Sequence, residues 1–175
     1  MSDNAQGQTD SGMPECMNVE VLEQHRWLAR FVGDWSFTAR MQNPDGSEHV
    51  TQGSESVSML GDIWFVADGQ GEMPDGGSAQ MRMTVGYDPA RGKFVGSWIG
   101  TMMLLHWVYE GQLSEDGNSL HLVAEGPDFS GGNSTRMYRD TIEYVSDDHR
   151  RLRSALQAVD GSWQEFNVAE YHRVK

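Results

Sequence analysis

The spacing of apolar and polar positions changes once along this chain, near residue 33. Before that point Val19, Leu22, Trp27, Leu28 and Phe31 recur at roughly helical spacing, with Glu20, Glu23, Gln24, Arg26 and Arg30 between them. One helix over 19–31 follows, with Asn18 as its N-cap and Gly33 as its stop. After that point the period is two. Met81, Met83, Val85 and Tyr87 share one face against Arg82 and Thr84; Phe94 and Trp98 share a face with Gly96 and Gly100. Tyr138, Ile142 and Tyr144 oppose Arg139, Thr141 and Glu143. Alternation of this kind gives each strand one apolar and one polar side.

Turn signals punctuate the rest of the chain. Asn43-Pro44-Asp45-Gly46, Leu60-Gly61-Asp62, Pro74-Asp75-Gly76-Gly77, Asp88 to Gly92, Ser114 to Asn118, Asp128 to Gly132, Ser146-Asp147-Asp148 and Asp160-Gly161 all combine residues that favour tight turns. Between them the pattern predicts strands near 34–42, 47–57, 62–71, 79–87, 93–101, 104–112, 119–125, 134–145, 150–158 and 163–173. No helical pattern separates them, so parallel crossover units are excluded. The expected fold is all-β: a closed antiparallel up-and-down β-barrel of about ten strands, calycin-like, with one short N-terminal helix capping a barrel end. Residues 1–17 lack an apolar period and read as a disordered tail; 18–175 read as a single barrel domain.

Composition narrows the function classes. The 175 residues carry a formal net charge of −13, so no basic footprint for nucleic acid is present. The same charge disfavours an anionic membrane surface. The single cysteine, Cys16, allows no intrachain disulfide and no cysteine cage for zinc. No secretory leader and no run long enough for a membrane span is seen, which reads as a cytoplasmic protein.

The motif His25-x-x-Leu28 followed by Val32-Gly33-Asp34-Trp35 resembles the opening of an uncharacterised bacterial family, domain of unknown function 1579. Gly86-Tyr87-Asp88-Pro89, Ser97 through Met103, and Tyr109-Glu110-Gly111 resemble that family's central signature. Glu125-Gly126-Pro127-Asp128, Tyr138-Arg139-Asp140 and Asp147-Asp148-His149 match it further along. The resemblance implies a calycin-like barrel, related in architecture to lipocalins, fatty-acid-binding proteins and the nitrobindin haem barrels. It implies no established activity.

Several residues could carry chemistry. Met81, Met83, Phe94, Trp98 and Met102 would make a soft apolar wall for a small hydrophobic or amphipathic molecule. Arg139 and Glu143, four apart on one strand face, would form a polar clamp for a ligand carboxylate if internal, and an exterior salt bridge if not. His106 and Glu110 share a face about 13 Å apart along their strand; turned inward they would orient a ligand, or act as a general base in an isomerase or cyclase. Turned outward, they leave Trp107 and Tyr109 inside. A haem would need an axial histidine, for which His172 and His106 are candidates, with His25 and His49 behind them. No spacing matches a metal loop or a known catalytic motif. Three readings stay open: a carrier or sensor, a small-molecule enzyme, and an interaction module that dimerises through a stripe of Trp107, Tyr109 and Trp163.

Overall fold

The computed structural model describes residues 19–43, 45–73, 76–131 and 133–175. The expected tail, Cys16, the Asn18 cap and the Pro44, Pro74, Asp75 and Gly132 turn positions lie outside the described residues. One helix, α1 (Glu23–Ala29), precedes ten strands: β1 (Gly33–Gln42), β2 (Glu48–Leu60), β3 (Trp64–Glu72), β4 (Ser78–Asp88), β5 (Lys93–Gly100), β6 (Trp107–Leu113), β7 (Ser119–Pro127), β8 (Thr135–Ser146), β9 (His149–Gln157) and β10 (Trp163–Arg173). Each strand pairs antiparallel with its sequence neighbour, and β1 also pairs with β10, so the sheet closes into a barrel. Closure removes both sheet edges.

The helix is shorter than its apolar period predicts. It starts after Leu22, whose N–H donates to His25 Nδ1 at 2.9 Å, and Arg30 rather than Gly33 is its last capping residue. Gly33 opens β1 at φ +133°, a conformation that favours glycine, and a Cβ there would lie 2.5 Å from Arg173 Nη1. That close approach matters, because Arg173 ties the chain ends together. Its guanidinium lies 4.3 Å from the Trp35 ring centre and donates to the carbonyls of Val32 at 2.6 Å and Arg30 at 3.1 Å. Trp35 Nε1 donates to Phe31 O, and Trp27 Nε1 to Gly117 O, both at 2.8 Å. The apolar stripe Trp27, Leu28 and Phe31 is thereby sealed into one end of the barrel.

The opposite end is formed by the β1–β2, β3–β4, β5–β6, β7–β8 and β9–β10 connections. Among the described residues no helix covers it. The β5–β6 connection is longer than expected. Residues 101–106 stand outside the sheet, because the β5–β6 ladder ends at the Trp98–Trp107 pair.

The interior has two unlike halves. Toward the helix, inward-facing Trp35, Phe65, Val85, Leu120, Leu122 and Ile142 are 1% exposed or less. Toward the other end, inward-facing Thr51, Met81, Trp98, Trp107, Tyr138 and Leu156 are only part-buried. The most tightly closed large side chains thus lie toward the helix, although inward Met59, Tyr87, Tyr144 and Leu152 there are part-buried and the small side chains of Ala79 and Ala124 in the far half are 2% exposed.

Candidate functional site

Between the two halves, charged and hydroxyl-bearing side chains point into the barrel. Glu55 of β2 and Arg150 of β9 form an ion pair inside the wall, with side chains 11% and 4% exposed. The Arg150 guanidinium stacks 4.0 Å from the Tyr171 ring centre and 5.0 Å from that of Trp35. It donates a single hydrogen bond, to Glu55, and its Nε has no partner among the described residues. Tyr109 of β6 donates to Asp140 of β8. Burial pushes the Asp140 carboxyl above its ordinary range, opposed by hydrogen bonds from Tyr109 and Ser154. Burial likewise pushes the Tyr171 phenol far above the usual tyrosine range, and the nearby Glu55 and Asp140 charges add to it. The Tyr171 hydroxyl makes no hydrogen bond to any described residue. Near the far end His49, on the inward face of β2, holds a buried Nε2 that also lacks a partner.

Large rings lie along the wall instead of crossing the barrel. The Phe37 ring covers Gly53 and Gly71, so that a Cβ would sit 2.3 and 3.3 Å from its Cζ. The Trp107 ring covers Gly126 the same way, at 2.3 Å. Glycine at these positions lets an aromatic ring pack flat on the neighbouring backbone.

The residues singled out from sequence separate into two groups. Met81, Met83, Phe94 and Trp98 face inward. Met83 and Phe94 belong to the filled half; Met81 and Trp98 line the part-buried half; Met102 sits on the exposed β5–β6 connection. Arg139 and Glu143 do not enter the barrel. Asp140 and Ile142 take the inward positions of β8, which turns Arg139, Thr141 and Glu143 out by the period of two. Arg139 stacks 4.6 Å from the Trp163 ring centre, and Glu143 pairs with Arg151 and Arg153. Arg139, Glu143, Arg153, Trp163 and His121 line an outer hollow of about 250 Å³. His106 is exposed on the β5–β6 connection, and Glu110 faces outward in ion pairs with Arg91 and Lys93. The two therefore do not converge with Arg139 in one pocket, as the enzyme reading requires. Trp107 and Tyr109 point inward, so the expected outer stripe with Trp163 is not formed.

Neither leading histidine, His172 or His106, lies inside the barrel; of the candidates only His49 does. His172 lies on the outer wall with its ring stacked on His149 at 4.6 Å. His25 is engaged by the Leu22 N–H. The donor set around His172 therefore does not fit an enclosed haem. Among the described residues no group of three His, Cys, Asp or Glu side chains could hold a metal ion. No helix among them is long and apolar enough to cross a membrane.

A further concavity, about 840 Å³, opens mainly on the outer wall, though inward Trp35, Glu55 and Met81 also border it. It crosses the outer faces of β1 to β5 and is bordered by Asp34, Ser56, Asp68, Arg82, Ile99 and Thr101, among others. Its polar side chains are exposed and partly paired with each other, as in the Arg82–Asp68 bond at 2.6 Å.

A family model described as "Protein of unknown function (DUF1579)" matches residues 20–173. The chain belongs to this family. Solved structures with the same barrel include Rv2717c from M. tuberculosis, at 13% identity and a TM-score of 0.61, covering 89% of this chain and 100% of that one. The S-type phycobiliprotein lyase CPES from Guillardia theta is similar at 14% identity and a TM-score of 0.57, covering 86% and 92%. At such identities the likeness is one of fold. A comparison with curated proteins found no match.

Sequence reasoning missed Glu55, Arg150, Asp140 and Tyr171 as site residues. The signal for Asp140 was present: it shares parity with Tyr138, Ile142 and Tyr144. In β9, Arg150, Arg151 and Arg153 straddle both faces, and only the pairing with Tyr171 and Tyr144 reveals which one is inside.

Proposed function

We propose that this protein binds a small apolar or amphipathic molecule in the far half of its barrel, as a carrier or sensor. The observation that carries the reading is the gradient of accessibility along the interior. The large inward side chains Trp35, Phe65, Leu120 and Leu122 near the helix are closed off, while Met81, Trp98, Trp107 and Tyr138 toward the far end are only part-buried. A barrel kept only for stability would be filled throughout, since interior voids forfeit packing contacts. Rings packed against Gly53, Gly71 and Gly126 support it, because a ring lying on backbone takes less of the interior than one projecting across it. Met81 and Trp98 would form the apolar wall, and the inner polar groups would orient the guest. From Glu55 to His49 is six residues of β2, about 20 Å along the strand, which sets the length of guest the barrel accepts. The fold shared with a phycobiliprotein lyase supports the architecture of such a site.

Native mass spectrometry of the purified protein against a library of lipids, dyes and haem tests the proposal. One or more stoichiometric adducts are expected, abolished by Trp98→Arg, which places a charge in the part-buried half. Absence of any adduct across the library sinks it.

A further inference from the structure

Resting on the reading of the interior as a ligand site, we propose that its guest carries a neutral hydrogen-bond acceptor, such as the carbonyl of an amide, ester or ketone, and not a carboxylate. Two independent features lead there.

The first is the supply of donors without net charge at the inner end of the site. Arg150 is already neutralised by Glu55, yet it donates only one hydrogen bond. Tyr171, stacked on that guanidinium, has a hydroxyl with no acceptor among the described residues. The buried Arg150 Nε without an acceptor is costly, and the Tyr171 hydroxyl beside it is open to a partner, so a guest that brings an oxygen gains from both. A guest carboxylate gains less. It would have to compete with Glu55 for Arg150, and would place a second negative charge beside it in a poorly solvated space.

The second feature lies at the entrance. The five connections of the far end, 43–47, 73–77, 101–106, 128–134 and 158–162, contain no Lys or Arg. Three of them repeat one turn: Asp45, Asp128 and Asp160 each accept from a Ser two residues on, at 2.9 Å from the backbone N–H and 2.6 Å from the hydroxyl. Those bonds hold all three carboxyls below their ordinary range, hence ionised. Apolar side chains stand beside them, with Phe129 next to Asp128 and Val159 next to Asp160, both exposed. Arg136, at the start of β8, is the cation nearest this rim and donates to Gln157 O at 2.9 Å; the three Asp carboxylates outnumber it, so an anionic amphiphile meets net repulsion there that a neutral one does not.

The test uses three probes of one chain length: decanamide, decanoate and decane, titrated into the full chain at neutral pH and followed by tryptophan fluorescence and calorimetry. Decanamide is expected to bind about tenfold tighter than either decanoate or decane. Tyr171→Phe keeps the ring over Arg150 and removes only the hydroxyl. It should bring decanamide toward the affinity of decane and leave decane and the melting temperature unchanged. Glu55→Gln should raise decanoate affinity, because Arg150 is then free to pair with it. Decanoate binding as tightly as decanamide to the unaltered protein, or a Tyr171→Phe variant with undiminished decanamide affinity, overturns the proposal. If none of the three probes binds, the interior site itself falls, and the neutral head group with it.

Discussion

The two halves of this barrel share one wall and are built from the same ten strands, yet they differ as a core differs from a cup. In the helix half, Trp35, Phe65, Leu120 and Leu122 meet Leu28 and Phe31 from the capping segment, and no inward side chain of this set retains more than 1% exposure. In the far half, the rings of Phe37 and Trp107 lie against glycine backbone, and Met81, Trp98 and Leu156 stay part-buried. The difference teaches that stability and binding are separated along the barrel axis. A closed sheet needs one plug to exclude water, and among the described residues a helix supplies it at one end only.

The sharpest way to break that contrast is a matched pair of truncations. Leu122→Ala in the filled half should cost about 2–5 kcal/mol by chemical denaturation. Leu156→Ala, inward-facing in the other half, should cost less than half as much, because the side chain already touches solvent. Equal losses would mean that the two halves are packed alike.

A smaller effect concerns the boundary between the halves. Asp140 has a raised carboxyl pKa in the folded state, caused first by burial. Such a group favours the fold while protonated in both states. Its contribution declines as pH rises above the unfolded value of about 3.9, through the window up to the folded one. Asp140→Asn keeps an oxygen to accept from Tyr109 and cannot ionise. It should be more stable than the parent at pH 7 and indistinguishable from it near pH 3, as read from melting temperatures. A variant less stable than the parent at pH 7 would show that the ionised carboxylate is the favoured form.

The smallest expected effect is on the outer wall, where water screens what the interior does not. His121 has its pKa lowered from the usual histidine value by burial first and by the Arg139 charge second. Arg139→Gln should move the His121 titration partway back up, followed by its ring-proton NMR signal, while global stability stays within about 0.5 kcal/mol. A lowered histidine pKa stabilises the fold above about 6.5 and loses that contribution as pH falls. The variant should therefore show a slightly shallower loss of stability on mild acidification. An unmoved titration would mean that burial alone sets it.

Much of the architecture was legible in the chain because it depends on local chemistry. The period of two from Trp35 onward, broken by Asp-Gly and Asn-Pro-Asp-Gly turns, placed ten strands within a few residues of where they stand. The β5–β6 stretch was less legible: Leu104 and Leu105 look strand-like, while the ladder stops at the Trp98–Trp107 pair and leaves them in the connection. The site was legible only in part. Met81 and Trp98 were recognisable as inward because their neighbours alternate cleanly. Arg139 has the residue type of a clamp, yet its own strand, with Ile142 marking the inner face, turns it outward. Arg150 could not be told from Arg151 without knowing which residues of β8 and β10 lie beside it.

The amino-acid sequence by itself determined the strand meander, the closing helix and the acidic, lysine-poor turns, because these follow from backbone propensity, period and charge at neighbouring positions. Only the tertiary structure decided that Arg150 meets Glu55 and Tyr109 meets Asp140. Those partners stand 95 and 31 residues apart, and register around a closed sheet, a property of all ten strands together, is what brings them face to face.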